Sequence, residues 1–205
     1  MQLQLLADQL VEKLDPNSRQ LVAIAGPPGA GKSTLAQDLF SALTSRGVAS
    51  AIVPMDGFHL DNGILDDRGL LSRKGAPETF DAAGFVHLVR RLKEADAPVV
   101  IPTFDRERDI AIAGARSIEP ETNVLLIEGN YLLLDSPPWN ELVPLWDHSI
   151  FIDPGLKIVE QRLIERWVNH GHDRKAAEAR ALGNDIPNAR LVLSRSVDAN
   201  LKIGD

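Results

Sequence analysis

The sequence predicts an α/β fold, a sheet with helices on both of its faces. Three observations lead there. Short apolar runs alternate along the chain with amphipathic helical patterns. The first apolar run is joined to the first helical pattern by a glycine-rich turn. Hydrophobic residues make up 44% of 205 residues, enough to bury a sizeable core in one domain.

Taken in order, residues 3–14 (LQLLADQLVEKL) read as an amphipathic helix packed on the domain. Residues 21–25 (LVAIA) are short, apolar and followed at once by Gly and Pro, which marks a buried strand. Residues 33–47 place Leu35, Leu39 and Leu43 four apart and end at Gly47, a helix with its stop signal. Residues 49–54 form a second strand. Residues 81–95 open at an Asp81 cap and put Phe85, Leu88, Val89 and Leu92 on one helical face. Residues 98–104, 123–129 and 148–153 read as the third, fourth and fifth strands. A helix over 154–171 is opened by Pro154 and closed by Gly171. A short polar helix over 173–183 follows, and 189–196 (ARLVLSRS) reads as a last strand. No repeat, low-complexity tract or linker divides the chain, so residues 1–205 are expected to form a single domain.

Composition narrows the function classes. The chain has no Cys, hence no disulfide framework and no thiolate nucleophile or metal ligand. No apolar run approaches the ~20 residues a membrane helix needs, and the start MQLQLLADQLVEKLD lacks the basic region of a signal peptide. A cytoplasmic protein with no membrane partner is the expectation. A net charge of −7 argues against a nucleic-acid binder. Basic residues gather only locally, at 68–74, 106–108 and 162–175, which suits a small anionic ligand.

Gly26, Pro27, Pro28, Gly29, Ala30, Gly31, Lys32 and Ser33 fit G-x-x-x-x-G-K-[ST] without a mismatch. The glycines let the backbone curl until successive N–H groups converge on phosphate oxygens. The helix starting near Lys32 adds its N-terminal partial charge. Lys32 reaches toward the β- and γ-phosphates, Ser33 offers a hydroxyl to Mg²⁺, and Thr34 follows on the same first turn. Chance would produce such a match in a chain this long on the order of once in a hundred, and this one falls between a strand and a helix. ATP with Mg²⁺ is therefore expected.

Three uses of such a cradle compete: a kinase, a guanine-nucleotide switch and a motor or transporter ATPase. No N-K-x-D is present to read guanine. Asp66 and Gly69 fit D-x-x-G, but after a polar loop rather than a buried strand. There is no LSGGQ-like signature either. Two carboxylates favour a kinase. Asp56 ends the second strand, where ligands of α/β sheets gather, and is suited to take the proton of an attacking hydroxyl. Glu128 ends the fourth strand, the place of an acid that holds Mg²⁺ or orients the nucleophile. Either could equally cap a turn before Gly57 or Gly129. A regulatory ATP-binding protein with little kinase activity is the alternative from another class.

The stretches GPPGAGKST, MDGFHLDN, RGLLSRKGAPETFD and LLIEGNYLL together resemble the phosphoribulokinase, uridine kinase and bacterial pantothenate kinase group of P-loop kinases. With PTFDRERD and GNDIPNARLV added, the chain most resembles the small members labelled fructose transport system kinases or nucleoside-kinase-like proteins. The resemblance implies a P-loop NTPase of three α/β/α layers, with a five-stranded parallel core and a helical lid at about 162–183. It implies Mg²⁺–ATP, transfer to a hydroxyl of a small molecule such as fructose, a nucleoside or a pantothenate-like alcohol, and Asp56 as base. It further implies that the charged segment after Asp56 lines the acceptor pocket, with His59, Arg68, Arg73 and Lys74 as candidate contacts. Asp105 could bond acceptor hydroxyls, and Arg106 or Arg108 an anionic group; a surface loop is the plain alternative. Arg162 and Arg166, four apart on one helical face, would close over ATP, against the bland reading of surface ion pairs. Asn184, Asp185 and Asn188 are either turn residues or face a ligand. Trp167 reads as packing. His170 and His172 lack further ligands at metal spacing. Relatives commonly assemble, which allows a homodimer.

Overall fold

The computed structural model describes residues 2–13, 15, 18–94 and 96–204. Its strands are β1 (Gln20–Ala25), β2 (Ser50–Pro54), β3 (Val99–Asp105), β4 (Ile110–Ile118), β5 (Val124–Gly129), β6 (His148–Asp153) and β7 (Leu201–Gly204). Five of them form a parallel sheet in the order β2-β5-β1-β6-β7. The centre, β1 and β5, is buried along its whole length, as the unbroken apolar runs of both strands require.

Helices α1 (Gln2–Glu12) and α2 (Lys32–Thr44) cover one face, and α4 (Ala82–Glu94) covers the other; between them α3 (Asn62–Asp67) lies outside the layers. The two-residue period of the strands divides the core accordingly. Val22, Ile24, Val124 and Leu126 pack with Leu10 of α1 and Leu39 and Leu43 of α2. Leu21, Ala23, Leu125 and Ile127 pack with Phe85, Val89 and Leu92 of α4. This is the three-layer α/β/α fold with five parallel strands. A third, smaller cluster joins Val159 and Leu163 of α5 (Leu156–Asn169), Ala177 of α6 (Arg174–Arg180) and Ile186 and Ala189 of α7 (Ile186–Arg195). Among the described residues no helix is long and apolar enough to cross a membrane.

Two elements depart from expectation. The predicted third strand does not join the core. β3 pairs antiparallel with β4 in a separate hairpin, with a register shift between Ile101 and Thr103. Its Val99 and Ile101 are buried while Val100 between them is exposed, the alternation of a one-sided strand rather than a core strand. The fifth core strand is instead β7, an edge strand beside β6 in which only Ile203 is partly buried. The predicted last strand at 189–196 is helical. In α7 the buried apolar positions are Ile186, Ala189 and Val192, three apart, and Pro187 stands at its start. The short polar helix ends at Arg180 and passes into a π turn over Ala181–Asp185.

The charged segment that follows β2 is more ordered than its composition suggests. It holds single turns at Met55–Phe58, Leu71–Arg73 and Pro77–Thr79 besides α3, whose start is capped by the Asp61 carboxylate accepting from Gly63 N at 2.8 Å. Its ends are tied together where Leu60 N donates to Thr79 O at 3.0 Å and Asp81 N to Phe58 O at 2.8 Å. The segment is a closed loop standing beside the glycine turn.

Candidate active site

The glycine turn leaves β1 and enters α2. Gly26, Gly29 and Gly31 all have positive φ, and two of them are also pressed by neighbours. A side chain at Gly26 would come within 2.5 Å of the Ile152 carbonyl oxygen, and one at Gly29 would meet Leu163 of α5 at 3.3 Å. Gly31 precedes α2 without a side-chain cap, so the first N–H groups of that 13-residue helix are open to an anion. Lys32 is buried, and its Nζ donates back across the turn to Pro27 O at 2.9 Å. Burial pulls its ammonium down to about 8, against the opposing charges of Glu128 and Asp56. A buried lysine beside a ring of N–H groups is suited to phosphate.

Sheet topology brings the two acids to the same place. β2 pairs with β5 so that Pro54 stands opposite Glu128, and Asp56 lies in the turn directly after. Glu128 Oε1 accepts from Ser33 Oγ at 3.2 Å, while burial first and the Asp56 charge second push its carboxyl up. Asp56 Oδ2 accepts from Arg106 at 2.5 Å.

These groups open onto a cleft of about 1140 Å³. His59 sits between the rings of Phe80 and Phe104, at 4.1 and 4.5 Å, with Nδ1 2.8 Å from Asp56 O. Burial moves its imidazole below the ordinary value. Lys74 bonds Asn62 Oδ1 at 2.6 Å, Asp109 O at 2.7 Å and the Asp109 carboxylate at 2.8 Å, and lies over Phe104. Burial alone would push the Asp109 carboxyl up; the bonds from Lys74 and Asn62 outweigh it and hold it low. Arg166 and Arg180 each lie about 5 Å from the Trp167 ring, whose Nε1 donates to Asp185 at 2.6 Å.

Of the residues read from sequence, Pro28, Gly29, Gly31, Lys32, Ser33, Thr34, Asp56, His59, Lys74, Arg106, Glu128 and Arg166 line this cleft. Gly26, Pro27 and Ala30 form the body of the turn behind it. Arg162 reaches the carbonyls of Gly29 and Ala30 at 3.4 and 3.3 Å. Three candidates stand elsewhere. Arg68 is exposed at the end of α3, Arg73 turns to Glu78 and Asn184, and Asp105 folds back to cap Arg108 N at 3.0 Å. Sequence reasoning missed Asn62, Asp109 and Arg180, and took Trp167 for packing although it lines the cleft. Asp185 and Asn188, left open between turn and ligand, face the cleft, whereas Asn184 bonds Lys74 O at 2.9 Å.

Among the described residues no three His, Asp or Glu side chains converge as a metal site. The paired Ser33 hydroxyl and Glu128 carboxylate fit Mg²⁺ all the same, because that ion takes few protein ligands and fills its shell with water and phosphate oxygens.

The profile of the phosphoribulokinase/uridine kinase family matches residues 21–190. YggC of Escherichia coli K12, itself uncharacterised, is 37% identical over 193 residues, covering 93% of this chain and 80% of its own. A Schizosaccharomyces pombe protein provisionally named a uridine kinase is 34% identical over 205 residues, covering 96% and 87%. A solved structure from Silicibacter sp. TM1040, provisionally named a fructose transport system kinase, superposes with a TM-score of 0.94 at 51% identity over 98% of both chains.

Proposed function

The chain belongs to the phosphoribulokinase/uridine kinase family, and on that premise we propose that it transfers the γ-phosphoryl of ATP to a hydroxyl of a small molecule. One observation carries the reading: a phosphate cradle and a carboxylate, Asp56, held only by the exposed Arg106, open onto one cleft that a closed charged loop borders on the far side.

In this reading the N–H groups of the turn and the start of α2 hold the triphosphate, and Lys32 leaves Pro27 O to bond it. Mg²⁺, when bound, spreads the phosphate charge. Ser33 and Glu128 are the residues that would hold it. Asp56 accepts the hydroxyl proton as the acceptor oxygen attacks in line. Arg166 neutralises charge from the lid side, and Arg162 steadies the turn through its carbonyls.

The acceptor reading is narrower than the family allows. The flat slot between Phe80 and Phe104 is already filled by His59, which favours a sugar such as fructose over a nucleoside that needs a stacking place for its base. The test is ADP release with Mg²⁺–ATP and a panel of sugars, nucleosides and pantothenate-like alcohols. Many-fold stimulation by one of them is expected. Absence of stimulation by all would move the chain to the class of regulatory ATP-binding proteins.

A further inference from the structure

Arg106 and Asp56 make the closest charged contact of the cleft, and it sits on the group to which catalysis is assigned. The guanidinium donates to Asp56 Oδ2 at 2.5 Å, with the arginine side chain 63% exposed and the aspartate 22%. Neither partner is trapped, so the pair can part at little cost.

The chain builds this contact deliberately. Arg106 stands at the tip of the β3–β4 hairpin. The Asp105 carboxylate tightens that tip by accepting from Arg108 N. Asp109 has φ 55 and ties the other side of the tip to Lys74 and Asn62. Midway along β3, at the register shift, the backbone of Pro102 packs so tightly on Gly57 that a side chain there would lie 2.7 Å from the Pro102 oxygen. The hairpin is thus registered against the turn that carries Asp56 at its middle and against Lys74 and Asn62 at its tip.

Resting on the kinase reading above, we propose that Arg106 is a positioning residue that masks Asp56 until an acceptor takes its place. The cleft is wide enough to admit water, and water is a competing nucleophile for the same phosphoryl. Unmasked, Asp56 would take a proton from water as the water oxygen bonds to the γ-phosphorus and the β–γ bridging oxygen leaves with ADP, giving ADP and phosphate. With Arg106 on Oδ2 that lone pair is occupied. An acceptor entering between the two frees the base only when its own hydroxyl stands there to be deprotonated.

The test measures ADP release from Mg²⁺–ATP by the full chain with no acceptor present. Arg106→Gln is expected to raise it roughly tenfold, a part of what a general base supplies. Arg106→Lys keeps the cation and, because the contact is one N–H···O bond rather than a bidentate fork, should stay within about twofold of the parent. Arg106→Gln combined with Asp56→Asn should fall back to the parent level or below. An unchanged rate in Arg106→Gln, a rise that persists in the double variant, or a lysine variant as leaky as the glutamine one would each overturn the mask. These outcomes are independent of the acceptor panel, so the mask can fail while acceptor-stimulated transfer stands.

Discussion

Lys32 illustrates how one residue couples burial, charge and ligand. Its ammonium titrates near 8, below the ordinary 10.5, because burial strips its water. Between those values the unfolded chain binds more protons than the folded one, so this group makes stability rise with pH from about 8 to 10.5. Below pH 8 the cost of burying the charge is fully present. A bound triphosphate restores the charged form. ATP binding at pH 8 to 9 should therefore take up protons. Calorimetry in two buffers of different ionisation heat should show a buffer-dependent enthalpy that vanishes in Lys32→Ala. Asp56 should behave differently, because the role proposed for it is to take the acceptor's proton rather than to hold the nucleotide. Asp56→Asn should keep ATP affinity while turnover with acceptor falls by ~10²–10⁴. Turnover within a few-fold of the parent would remove it from the role of base. Lys32, Ser33, Asp56 and Glu128 could be named from sequence because strand ends and a spaced motif fix their places. Asn62, Asp109 and Arg180 could not, since they reach the cleft only through the hairpin register and the fold of the loop.

At the scale of elements, the π turn between α6 and α7 is tied to the charged segment that follows β2. Asn184 within it donates to Lys74 O at 2.9 Å and accepts from Arg73 at 3.2 Å. Single π turns inside helices recur at functional sites. Asn184→Ala leaves both partners short of a bond, so it should cost about 1–3 kcal/mol of stability. Acceptor KM should rise several-fold while ATP KM holds; thermal melts and steady-state kinetics check the two parts. Elements differed in how well they could be read. β1, β5 and α4 carry long unambiguous patterns and fall where expected. The run Leu191, Val192, Leu193 is short and apolar, and periodicity alone does not separate strand from buried helix there. The deciding signal was the three-residue spacing from Ile186 with Pro187 at its head. β7 offers four residues with one half-buried, and β4 offers mostly Ala, Gly and Ser, so neither announces itself.

At the scale of the molecule, the strand order places the ends of β1, β5 and β2 side by side, and the glycine turn, Glu128 and Asp56 stand together because of it. That closeness leaves no slack. A side chain at Gly129 would lie 2.6 Å from Met55 Cβ, directly under Asp56 in sequence. Gly129→Ala should cost about 1–3 kcal/mol by overpacking and shift the base as well. A urea midpoint equal to the parent's would show that the sheet edge yields more easily than its packing implies. The most direct trial of the whole account is a crystal structure with Mg²⁺ and a non-hydrolysable ATP analogue. It should show the triphosphate wrapped by residues 26–33, Lys32 moved from Pro27 O onto phosphate, and Asp56 facing the terminal phosphorus across the space for a hydroxyl. A triphosphate bound elsewhere, or an Asp56 side chain directed out of the cleft, would contradict it.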